Sequence, residues 1–148
     1  MTLRKLKRWK DPEELSTCIQ SVNTIRGHYQ WSKRTYDETN IENVYAILDE
    51  GTGRGFIECN YENLEIWREG KPHLMLSELH IAPSQQGKGY GTRVLNHLLS
   101  KGLDIELMVA NENEPMLKLV RKFTHRLKHD GENLRTFILI APTITDNE

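Results

Sequence analysis

The residues best suited to chemistry stand close together between Leu76 and Leu99, in the stretch LSELHIAPSQQGKGYGTRVLNHLL. It reads as a strand, a tight glycine-rich turn and a helix, with Gly87, Gly89 and Gly91 where the chain leaves the strand and enters the helix. Glycine at every second position lets the backbone approach a ligand in conformations that a Cβ forbids, so several N–H groups can converge on one small space. The helix that follows adds its unpaired first-turn amides and the positive end of its dipole, and Lys88 and Arg93 add charge. The spacing predicts an anion site, for a pyrophosphate above all.

Two familiar phosphate loops are excluded, because GKGYGT has no GxxxxGK(S/T) match and the dinucleotide pattern GxGxxG fails at its third glycine. The stretch resembles motif A of the GNAT superfamily, the acetyl-coenzyme A-dependent N-acyltransferases, whose pattern (Q/R)xxGx(G/A) is met by Gln86, Gly89 and Gly91. The preceding LHIAP is similar to that family's fourth strand, an alternating apolar run followed by proline. The resemblance implies acetyl-CoA as co-substrate. Its pantetheine arm would lie along the backbone of Leu79, His80 and Ile81, and its pyrophosphate in the loop Gln86, Gly87, Lys88, Gly89, Tyr90, Gly91 and Thr92. It also implies a second cofactor helix of the form NxxAxxLYxxxGF. The corresponding run from Asn113 keeps Asn113 and Leu119, but has Val120 at the tyrosine and Thr124-His125 at the Gly-Phe ending. The tyrosine that commonly protonates the departing thiolate therefore cannot be carried over: another group or water supplies that proton, or the protein is catalytically impaired.

Acyl transfer to an amine requires loss of a proton from an ammonium beside a polarised thioester. Glu78, in the central strand one residue before the stretch implied to hold pantetheine, is the first candidate base. His80 shares its face by strand alternation and could act with it directly or through water. Glu106, on the next strand, is the third. Each has a plainer reading as a group paired within the fold. For the acceptor, the resemblance points to the segment Gly27 to Asn40, where Tyr29, Trp31, Arg34 and Tyr36 are candidates for contact; the same rings could instead pack the first helices onto the sheet, and the cations could be solvated surface.

Other chemistries find little support. The six histidines have no HExxH spacing, there is no CxxC pair, and GxSxG is absent, so no metal is expected. Cys18 falls on the apolar face of the first helix and Cys59 in a strand, as packed thiols in a reducing compartment.

The elements that position these groups follow from pattern. Residues 2–8 alternate apolar and basic, as a first strand whose Arg4, Lys5, Lys7, Arg8 and Lys10 read as a solvated edge rather than a nucleic-acid site. Asp11-Pro12 opens a helix with Leu15, Cys18, Ile19 and Val22 at helical spacing and Gly27 as its stop. A short second helix is expected within 27–40. Residues 43–50 and 53–62 form a hairpin around Gly51-Thr52-Gly53, which Leu64, Ile66 and Trp67 extend, and residues 73–82 form the central strand. A helix over 89–101, a buried strand over 103–110, a helix carrying Met116, Leu119, Val120 and Phe123, and a hairpin around Asp130-Gly131 complete the series. The string matches an α/β (α+β) GNAT-like layout: a mixed, mostly antiparallel central sheet flanked by helices, with its fourth and fifth strands parallel and splayed around the cofactor.

A chain of 148 residues suits one domain, here 1–143, with 144–148 as a disordered tail. A formal net charge of −1 argues against non-specific nucleic-acid binding. No run approaches the ~20 apolar residues of a membrane span and no signal peptide is read, so a cytoplasmic protein is expected. The expected acceptor is a primary amine on a small molecule, an amino acid or a peptide N-terminus, and a homodimer is compatible with this reading. The alternative is a non-catalytic acyl-CoA sensor or interaction module on the same fold.

Overall fold

The computed structural model describes residues 1–28, 35–62, 67–68 and 70–142. Its strands are β1 (Thr2–Lys5), β2 (Val44–Asp49), β3 (Thr52–Cys59), β4 (Trp67–Arg68), β5 (Lys71–Pro72), β6 (Leu74–Ile81), β7 (Ile105–Ala110), β8 (His125–Asp130) and β9 (Leu134–Leu139). The helices are α1 (Pro12–Arg26), α2 (Tyr90–Leu99) and α3 (Glu114–Arg121). Seven strands form one sheet in the order β1-β2-β3-β6-β7-β9-β8. β6 and β7 run parallel, pairing Leu74 with Ile105 through Leu76 with Leu107, and the ladders β1–β2, β2–β3, β7–β9 and β8–β9 are antiparallel. This is the mixed, mostly antiparallel sheet expected. The chain divides into two units, Met1–Cys59 with Glu78–Gly91, and Asn60–Ser77 with Thr92–Glu148.

In the first unit, α1 starts where the sequence says: Pro12 needs no amide partner at the first helical position, and Asp11 Oδ1 accepts the Glu13 N–H at 3.1 Å. Its buried Ile19 and Val22 pack with Leu6, Tyr36, Ile41, Val44 and Phe56. Each such buried side chain contributes roughly 1.5–3 kcal/mol of transfer free energy. The first strand is shorter than its alternation suggested. It ends at Lys5 because Leu6 turns fully into the core through a 3-10 turn, Leu6–Arg8. β1 lies at the end of the sheet order, and Lys5 and Lys7 both reach Glu42, at 3.4 and 3.2 Å. Gly55 permits the approach of β3 to β6, since a Cβ there would lie 2.2 Å from the His80 carbonyl oxygen. The Ala82 N–H donates to the Arg54 carbonyl at 2.8 Å beside it.

In the second unit, α2 buries Val94, Leu95, Leu98 and Leu99 and ends before Gly102, which takes a φ of 80°. Asn113 caps α3 by accepting the Met116 N–H at 3.2 Å, and Leu117 and Val120 are buried. Asp104 ties three segments: its Oδ1 accepts the Ala141 N–H at 2.9 Å, its Oδ2 meets Lys71 Nζ at 2.9 Å, and its carbonyl accepts from Leu74 N. Trp67–Arg68 and Lys71–Pro72 make a separate two-stranded pair, β4 with β5, rather than extending the preceding hairpin. Leu64 and Ile66, and residues 29–34 of the segment expected to hold a second helix, lie outside the described residues; residues 35–40 are irregular chain and turns, not helix. Among the described residues no helix is long and apolar enough to cross a membrane.

Candidate functional site

Strand alternation puts Glu78 and His80 on one face of β6, and the structure joins them: His80 Nε2 stands 2.6 Å from Glu78 Oε2. The other carboxylate oxygen, Oε1, accepts from Arg26 at the end of α1, with Nη2 at 2.9 Å and Nε at 3.3 Å. Arg26 is 2% exposed and His80 6%. A guanidinium against a carboxylate favours the ionised form, so Glu78 can accept the imidazole N–H. Facing a carboxylate, the ring places its Nε2–H in that hydrogen bond.

The floor of this cluster is aromatic. The Phe56 ring lies 5.1 Å from the His80 ring and 5.8 Å, edge-on, from Tyr36. Tyr36 is held at both ends. Its backbone exchanges two hydrogen bonds with the Asn23 side chain, at 2.8 and 2.9 Å, and its hydroxyl donates to Glu58 Oε1 at 2.8 Å. Burial, then the Glu58 hydrogen bond, pushes the phenol's pKa well above its ordinary value, so it stays protonated.

Downstream of β6, a 3-10 turn over Pro83–Gln85 leads into the glycine loop, whose residues 86–89 are exposed. Gly87 and Gly89 take φ values of 77° and 82°, a region costly to residues with a Cβ, and a Cβ built at either finds no heavy atom within 4 Å. The loop is anchored on both sides. Gln85 Oε1 accepts from Arg54 at 2.8 Å and Lys88 Nζ at 3.3 Å, and the Tyr90 hydroxyl donates to Asp49 Oδ2 at 2.9 Å. Tyr90 therefore spends its hydroxyl on the end of β2. The first turn of α2 carries no acidic residue. Exposed loop residues, open space on the glycines' missing side chains, a helix start and a lysine form a cradle that fits a pyrophosphate, as acetyl-CoA requires.

The remaining candidates are placed as follows. Leu79 and Ile81 are half-buried at the end of β6, and Gly91 and Thr92 lie in the first turn of α2. Glu106 belongs to the second unit, 7% exposed, where Lys128 Nζ meets its Oε1 at 2.7 Å. The Asn113 side chain is spent as a helix cap. Val120, at the position where the resemblance would have a tyrosine, is fully buried. Tyr29, Trp31 and Arg34 lie outside the described residues. Around this cluster two buried charges were not foreseen, Arg26 and Glu58. Both carried a signal: Arg26 continues the α1 stripe Ile19, Val22, and Glu58 occupies the same face of β3 as core residue Phe56, so each is a charge where a buried residue is due.

Comparison with known proteins bears on this geometry. No curated sequence matches the chain at a significant level. Among solved structures, Arabidopsis thaliana Naa50 in complex with the bisubstrate analogue CoA-Ac-MVNAL is similar, with 18% identity, 86% of this chain and 92% of that chain covered, and a TM-score of 0.61. Ard1 from Thermoplasma volcanium covers 96% of this chain and 98% of its own at 16% identity, with a TM-score of 0.65. YncA from Salmonella typhimurium with its cofactor acetyl-CoA aligns over 100% and 98% at 16% identity, with a TM-score of 0.64. These likenesses establish the fold. The Acetyltransferase (GNAT) family profile matches residues 4–124, which takes in the Arg26–Glu78–His80 cluster and the whole glycine loop, and on that match the chain belongs to the GNAT acetyltransferase family.

Proposed function

We propose that this protein is an N-acetyltransferase that moves an acetyl group from acetyl-CoA to a primary amine of a small molecule, amino acid or peptide N-terminus by direct attack in a ternary complex. The observation that carries this is the 2.6 Å Glu78–His80 pair on the strand that leads into a glycine cradle with left-handed Gly87 and Gly89. Acetyl-CoA supplies the acetyl thioester. The loop from Gln86 to Thr92 holds its pyrophosphate, and the backbone of Leu79 to Ile81 holds its pantetheine arm. The acceptor arrives as an ammonium, and its proton passes to His80 Nδ1, with Glu78 stabilising the imidazolium through Nε2–H. The Glu78 carboxylate, engaged by Arg26 and His80 at its two oxygens, acts behind His80 rather than ahead of it. As the C–N bond forms and the C–S bond breaks, the nitrogen releases its second proton to solvent and the thiolate takes one from solvent, because Val120 offers none. Glu106 and its Lys128 partner are assigned no proton in this scheme.

A second reading has one observation in its favour. Val120 is fully buried apolar surface where many relatives by the motif carry the acid, and this suits an acyl-CoA-binding sensor that does not turn over. Incubation with acetyl-CoA and a panel of amines, amino acids and short peptides, following free thiol, separates the two: thiol release on any acceptor supports the enzyme, and binding without release supports the sensor.

A further inference from the structure

We propose that Arg26 is a positioning residue for the proton transfer given above to His80, acting through Glu78. The inference rests on that assignment, and its test is chosen to be read without it. Arg26 closes α1, where the helix's apolar stripe calls for another core side chain, and its guanidinium is buried. A buried charge there is costly in stability compared with a well-packed apolar residue, so its retention asks for a use beyond packing. Its geometry supplies one. Nε and Nη2 both address Oε1 of Glu78, while Oε2 receives His80 Nε2, so the fork fixes the carboxylate's rotation and leaves the imidazole one oxygen. The Tyr36 ring, 5.3 Å from the guanidinium carbon, limits the fork's plane, and Tyr36 is itself tied to Glu58 on β3. Arg26, Glu78, His80 and Glu58 are thus the charged or titrating side chains of the described cluster, with the Tyr36 phenol neutral among them.

The sign follows from charge. Taking away the Arg26 cation while Glu78 remains makes the His80 imidazolium easier to form, so its titration midpoint should rise. Taking away the Glu78 anion should lower it. Both displacements should be about one pH unit, the low end of what one neighbouring charge does.

The experiment is a pH titration of the histidine ring nitrogens by ¹⁵N NMR in the whole protein, with Arg26→Gln, Arg26→Lys and Glu78→Gln beside it. The unsubstituted protein should show His80 as the Nε2–H tautomer. Arg26→Gln should raise the His80 midpoint by about one unit, and Arg26→Lys, which keeps the cation, should return it to within about half a unit. A folded Arg26→Gln protein with an unmoved midpoint and tautomer overturns the proposal, as does an equal displacement in Arg26→Lys. Should Arg26→Gln not fold, Glu78→Gln decides: a lowered midpoint with loss of the Nε2–H preference supports the chain of contacts, and an unmoved His80 overturns it. Failure of the protein to acetylate any amine would remove the proposed function and leave these titrations standing.

Discussion

The Tyr36 hydroxyl and the Glu58 carboxylate share a buried 2.8 Å hydrogen bond, and burial together with that bond holds the phenol in its neutral form. Its pKa is raised in the fold, so the contribution to stability is complete below about pH 10, the unfolded value, and declines as the pH climbs from there. Tyr36→Phe should leave Glu58 short of a donor and cost about 1–3 kcal/mol at neutral pH. It should also flatten the alkaline fall in stability. Urea melts between pH 8 and 11 read both effects, and an unchanged alkaline slope would count against the pair.

Gly89→Glu should abolish coenzyme A binding while the fold persists. The carboxylate would enter the open space beside the loop, and the left-handed φ of 82° would strain any side chain there. Calorimetry on the folded variant checks this; retained affinity would remove the loop from the cofactor site.

Gly55→Ala tests the seam between β3 and β6. A methyl group 2.2 Å from the His80 carbonyl oxygen forces the strands apart, and about 1–3 kcal/mol of stability should be lost. Since the displaced carbonyl belongs to His80, turnover should fall as well. Chemical denaturation that shows no loss would contradict the close approach.

The sequence carried the local devices and missed the distant ones. Asp11-Pro12 and the alternating glycines act over a few residues, so the α1 start and the loop are legible directly from residue types. Gln86 to Gly91 also carried the family resemblance, and with it the acetyl-CoA reading. Arg26 and Glu78 are 52 residues apart in the chain, and nothing local pairs them. The basic first strand was read correctly as an edge, yet the Glu42 partner of Lys5 and Lys7 was invisible to spacing, and the alternation of residues 2–8 overran Lys5 because Leu6 gains more from the core than from a further ladder position. The acceptor candidates Tyr29, Trp31 and Arg34 sit in a stretch with no period to read.

Asp104 should set part of the acid stability of the second unit. Burial works to raise its carboxyl, but the Ala141 amide and the Lys71 ammonium outweigh that, and its pKa lies below the ordinary carboxylate value. A depressed value means that the stabilisation is present above about pH 4, the unfolded value, and fades as pH falls below it. Asp104→Asn should therefore lower stability at pH 7 and flatten its decline between pH 5 and 2, as thermal melts would show.

The most direct test of the account compares acetyl transfer and coenzyme A affinity in the unsubstituted protein and in His80→Gln, using the best acceptor from the amine panel. With His80 as the group that takes the proton, coenzyme A affinity should hold, kcat should fall about 10²–10⁴-fold, and the acidic limb of the pH–rate profile should disappear. Undiminished turnover in a folded His80→Gln protein, with the acidic limb in place, would contradict the central claim.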